Sequence, residues 1–176
     1  MAAPTRTEHT RKLLAQTAAR IIESGGLRAL TMISAASESG LARATVYNYV
    51  RDKDQLAKLA YREFFAEISE FGDTTDVARG LYDLATFVAQ HPLIVGLRTF
   101  NPSVLQSGID YVVQAPSEVA DVVADRLHGW NINADRTAGD TVLRWLASYC
   151  ISPGSDAGRE AGAEVLAASL RIDARL

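Results

Sequence analysis

The sequence predicts an all-α protein, and three observations predict it. Apolar residues recur at three- and four-residue spacings through most of the 176 residues. The periodic runs begin after Ser, Thr or Asp and end at Gly or Pro, the polarity that helix termini require. No two alternating runs are joined by a hairpin turn and no segment repeats. The one β-prone stretch, Ile109–Val113, is short enough to be buried helix instead.

In order, Leu14, Ala18, Ile21 and Ile22 form one stripe on a helix from about Thr7 to Ser24, which Gly25-Gly26 should stop. Thr31 is placed to cap a short helix ending near Ser39, with Gly40 closing it. A second short helix runs from about Ala42 to Tyr49. Asp52, with Gln55 three residues on, caps a longer helix carrying Leu56, Leu59, Ala60, Phe64 and Ile68, which ends near Gly72. Val77, Leu81, Leu84, Ala85 and Val88 mark a helix within Thr75–Gln90. Pro92, Pro102 and Pro116 punctuate shorter pieces. Asp135–Ile151 and Gly158–Leu170 read as the last two helices, separated by Ser-Pro-Gly-Ser at 152–155.

Composition narrows the function. With 48% hydrophobic and 22% charged residues the chain should fold. A single cysteine, Cys150, excludes an intrachain disulfide and any multi-cysteine zinc site. No apolar run reaches the roughly 20 residues of a membrane span, and Met1–Arg11 has no signal-peptide core, so no membrane association and a cytoplasmic location are expected. His9, His91 and His128 are scattered. Asp125 and His128 could share a helix face but lack a third ligand. No Gly-rich phosphate loop, Gly-x-Ser-x-Gly or His-Glu-x-x-His is present. The expectation is a protein that is not an enzyme and takes no cofactor and no metal.

Charge is segregated. Residues 1–60 hold nine Lys/Arg against five acids, a balance of +4, whereas the remainder holds nine against sixteen, or −7. A basic third on an acidic body suits contact with a polyanion.

Thr31–Val50 sharpens that reading. A short helix, a turn at Gly40 and a second short helix match the helix-turn-helix pattern. Met32, Ala35, Ala36, Leu41, Val46 and Val50 supply a small apolar set. On the second helix Arg43, Ala44, Tyr47 and Asn48 fall opposite Val46 and Val50. Such a face suits a DNA major groove, where Arg pairs with guanine and small residues touch thymine methyls. Thr45, Tyr49 and Lys53 can reach flanking phosphates.

These residues resemble the tetracycline-repressor (TetR-like) family of bacterial transcription regulators. The likeness lies in Thr31 and Ala36, in Gly40-Leu41-Ala42-Arg43-Ala44-Thr45-Val46-Tyr47-Asn48-Tyr49-Val50, and in Asp52-Lys53-Asp54-Gln55-Leu56; it covers residues 7–60. It implies a three-helix helix-turn-helix DNA-binding domain over 1–52 and a helical ligand-sensing and dimerisation domain over 53–176. By position it implies base contacts from Arg43, Ala44 and Tyr47, and phosphate contacts from Thr31, Thr45, Asn48, Tyr49 and Lys53. Three residues depart from the family pattern: Ala42 replaces a Ser or Thr, Val50 a Phe, and Ile33 a residue that is often polar.

The resemblance further implies a homodimer on a palindromic double-stranded operator, formed through the last two helices. Leu143, Leu146, Ala161, Gly162, Val165, Leu166 and Ala168 are the candidate seam. It also implies a small-molecule effector that releases the repressor. Phe87, Arg98, Phe100, Tyr111, Trp145 and Tyr149 are the candidate pocket residues, Trp145 and Tyr149 being one helical turn apart. An interaction module without DNA binding, or an all-helical enzyme, would be the alternatives.

Overall fold

Helix boundaries fall where side chains can take up the backbone groups that a helix end leaves without partners. The computed structural model describes residues 5–72, 74–114, 118–130, 132 and 134–173, and every regular element among them is a helix. These are α1 (Arg6–Ala29), α2 (Met32–Ser39), α3 (Arg43–Tyr49), α4 (Lys53–Ser69), α5 (Val77–Gln90), α6 (Pro92–Phe100), α7 (Pro102–Gln114), α8 (Glu118–Gly129), α9 (Arg136–Ile151) and α10 (Asp156–Asp173). Pro116 lies outside the described residues. No helix among those described is long and apolar enough to cross a membrane.

The chain forms two compact units. The first comprises Met1–Glu67 and Pro92–Pro102. α1 begins at Arg6, one residue before the expected Thr7, behind a reciprocal capping box of Thr5 and Glu8. Gly25-Gly26 does interrupt it, as expected. Gly26 alone leaves helical geometry, at φ 68° and ψ −172°, and the helix resumes to Ala29. α6 lies along α1 at very close range. A side chain at Gly96 would collide with the backbone of Ile22, and one at Gly26 with Phe100 and Asn101. Leu14, Ala18, Ile22, Leu30, Val46, Leu56, Leu93 and Leu97 are buried.

The second unit comprises Ile68–His91 and Ser103–Leu176. In it α5 packs against α9 and α10, and α8 against α9, where Gly139 meets the Ala120 carbonyl too closely for any side chain. Trp130 is buried over Gly80, its indole N–H donating to the Gly72 carbonyl at 3.0 Å. Arg126 donates to the Phe71 carbonyl. Arg159, only 5% exposed, joins α10 to α5 and to the preceding loop. It donates to Thr86 Oγ1 at 3.1 Å, to the carbonyl of Pro153 at 2.6 Å and to Asp156 at 2.7 Å. Asp156 also accepts from the Tyr82 hydroxyl at 2.9 Å. Ser155 caps α10 through the Gly158 N–H, so this helix starts before the expected Gly158. Pro92 and Pro102 do not merely interrupt the chain. Each is the first residue of a helix, where its missing N–H costs nothing. Ile109–Val113 is helical, inside α7.

Candidate nucleic-acid interface

α2 and α3 are short, eight and seven residues, so their ends decide their orientation. Thr31 caps α2: its Oγ1 accepts from the Ser34 N–H at 3.0 Å, and Ser34 Oγ accepts from the Thr31 N–H at 2.9 Å. This Thr-x-x-Ser box is fuller than the single cap expected of Thr31. Gly40, at φ 70° and ψ 9°, closes the helix in the left-handed region that glycine enters at little cost. α3 starts at Ala42 with no side-chain cap, as the alanine there dictates. Asp52 accepts from the Gln55 N–H at 2.8 Å ahead of α4, while Gln55 reaches back to the Arg51 N–H.

The burial pattern of α3 is one-sided. Val46 and Val50 face inward at 0% and 3% exposure. Arg43, Ala44, Tyr47 and Asn48 are exposed together, Tyr47 at 55%, and Thr45 and Tyr49 flank them half-buried. Lys53 is exposed at the first turn of α4. Thr31 is exposed too. Its oxygen already serves as the α2 cap, leaving its proton for Ser34 Oγ or for an outside partner. Ile33, 58% exposed, stands in the first turn of α2 with Ser37 one turn on.

Some cations of the first unit are paired within it. Lys12 pairs with Glu63 at 3.2 Å and Arg20 with Glu38 at 3.4 Å. Among the described residues no acid lies within ion-pair distance of Arg43, Arg51 or Lys53. Three cations around one exposed helix therefore carry their charge to solvent.

The candidate pocket residues are distributed over both units. Arg98 and Phe100 belong to the first, on α6, where Phe100 is 48% exposed with its Cβ against Gly26. Phe87, Tyr111, Trp145 and Tyr149 belong to the second. There Phe87 stacks edge-on with Phe71 and lies against His91, and Tyr111 is 77% exposed on α7. Trp145 and Tyr149 do meet, ring centroids 5.1 Å apart, over Gly162 of α10. Partial burial raises the Tyr149 pKa above that of a free phenol. Of the candidate seam, Leu143 and Leu146 are already buried within their own chain, whereas Ala161, Val165 and Ala168 are exposed and Gly162 and Leu166 half-exposed. Among the described residues no three His, Cys, Asp or Glu side chains cluster in a way that could hold a metal, and Cys150 is buried.

No protein-family model matches this chain, and no curated protein matches it.

Proposed function

We propose that this protein is a ligand-responsive transcriptional regulator. It binds a palindromic operator as a homodimer, represses, and is released by a small molecule. The observation that carries DNA binding is the α3 surface: a tyrosine, an arginine and an asparagine exposed side by side, with uncompensated cations at Arg43, Arg51 and Lys53. Exposing a tyrosine forgoes burial that a purely structural helix would use. Arg43, Ala44 and Tyr47 would meet base edges, and Thr31, Thr45, Asn48, Tyr49 and Lys53 the phosphates. A seven-residue reader spans few base pairs, so two copies related by a twofold axis supply the missing contacts. The exposed Ala161, Val165 and Ala168 of α10 offer small, close-packing residues for that pairing.

Selection of bound duplexes from a random DNA library at near-physiological salt tests the proposal. An enriched palindrome with half-sites about one helical turn apart or somewhat more supports a dimeric reader. Folded, dimeric, ligand-free protein that enriches nothing above background would instead be an interaction module. Thermal stabilisation by a small molecule that also weakens operator binding would support the effector.

A further inference from the structure

The junction between α1 and α2 is held from outside itself. With Gly26 at φ 68° and ψ −172°, the peptide that follows cannot continue the helical ladder. The Leu27 N–H therefore needs another acceptor. Asn101 provides it, 74 residues away in sequence, its Oδ1 lying 2.8 Å from the Leu27 nitrogen. Asn101 sits just beyond α6, its own N–H donating to the Leu97 carbonyl at 2.8 Å, and belongs to the same compact unit as α1–α3. Gly26 leaves room for this, because Phe100 and Asn101 occupy the space a side chain would need.

At its other end the junction is held by Ser34, whose hydroxyl donates to the Ala29 carbonyl at 2.9 Å or to that of Thr31 at 3.0 Å. The same oxygen accepts from the Thr31 N–H. Residues 27–31 are thus fixed at the start by Asn101 and at the finish by Ser34, with Leu30 buried between them at 1% exposure. α2 begins immediately after, and α3 packs on α2.

Resting on the DNA-binding reading above, we propose that Asn101 is a positioning residue for base recognition: its acceptor oxygen fixes the 27–31 junction and with it the pose of α2 and α3. A small shift at a helix start displaces base contacts while leaving flexible phosphate contacts largely in place. Losing this acceptor should therefore lower specificity more than general affinity.

The test compares Asn101→Leu, which removes the acceptor at similar volume, with Asn101→Asp, which keeps it. Affinity is measured for the duplex enriched by the wild-type protein and for a scrambled duplex at the same salt. Asn101→Leu should lower the ratio of the two affinities about tenfold with the scrambled duplex unaffected, and Asn101→Asp should stay within about threefold of wild type. General unfolding would reduce both affinities together. An unchanged ratio in Asn101→Leu, or an Asn101→Asp as poor as Asn101→Leu, overturns the proposal. Asn101→Ala replaces the leucine variant, under the same criteria, if that variant does not fold. Should the wild-type protein enrich no duplex, the DNA-binding reading fails on its own account and hydrogen exchange decides the junction. Faster exchange across residues 27–34 of the variant, with residues 8–20 unchanged, supports the anchor; unchanged exchange removes it.

Discussion

The two units treat their arginines differently. In the second, every arginine with a described side chain is engaged. Arg79 pairs with Asp83, Arg136 with Asp121 and Arg144 with Asp140; Arg126 meets the Phe71 carbonyl, and Arg159 meets Asp156, Thr86 and two further carbonyls. In the first, Arg43, Arg51 and Lys53 stand exposed with no acid in reach. The means of packing differ as well. The first unit joins α1 to α6 through bare backbone at Gly26 and Gly96, while the second buries a tryptophan held by a carbonyl oxygen and a guanidinium held by carbonyls, a hydroxyl and a carboxylate. Engaged cations stabilise a shape. Unengaged ones, at the start of α3 and around the start of α4, are available to something outside the chain.

Five measurements put this contrast at risk. The largest effect should come from Trp130→Ala, which empties a buried site and abandons the Gly72 carbonyl. A loss of about 3–5 kcal/mol in urea unfolding is expected, with amides of α5 and α8 losing protection before those of α1. The opposite order would dissolve the distinction between the units. Gly96→Ala pushes a methyl into the Ile22 backbone and should cost about 1–3 kcal/mol, read first at α1 and α6 by hydrogen exchange. Tyr47→Ala should weaken specific DNA binding by about 1–3 kcal/mol without moving the urea midpoint, since Tyr47 is more than half exposed.

Smaller effects separate the two kinds of cation directly. Lys53→Ala should flatten the salt dependence of DNA affinity by about one unit of log–log slope, and Arg144→Ala should leave that slope unchanged. Equal slopes for both variants would end the contrast. The smallest effect concerns pH. The Tyr82 hydroxyl, and then Arg159, hold the Asp156 carboxyl below its ordinary pKa. A carboxylate depressed in the folded state contributes stability above its unfolded pKa, and that contribution is lost as pH falls through the folded value. Between pH 5 and about pH 3 the wild-type urea midpoint should therefore fall slightly more than that of Asp156→Asn. Parallel curves would take Asp156 out of the account.

Local chemistry was the legible part of this sequence. Thr31, Gly40 and Asp52 end or begin helices as their side chains and backbone preferences require, and Val46 and Val50 turn inward as helical spacing puts them. The all-helical fold follows from such signals summed along the chain. What stayed hidden depended on distant partners. Gly25-Gly26 reads as a stop, and Gly26 does break the helix; what stayed hidden is the further turn to Ala29 and the Asn101 oxygen that meets the Leu27 N–H, a contact that no window around residue 26 contains. Nothing in the sequence marks Arg159 for burial, which becomes intelligible only once Thr86 and the Pro153 carbonyl are brought to it. Tyr111 has the opposite history. An aromatic in a helix suggests core or pocket, but α7 turns it outward.

The first unit is written in two pieces, with residues 68–91 belonging elsewhere. It cannot be obtained by ending the chain after α4, because such a fragment lacks α6 and would bare the Ile22 backbone surface that Gly96 covers. A protease cutting once between residues 68 and 91 would split the chain without separating α1 from the helix laid along it. Nor could the unit be transplanted onto another protein as one continuous stretch of sequence. In heredity it must travel with the body through which its chain passes.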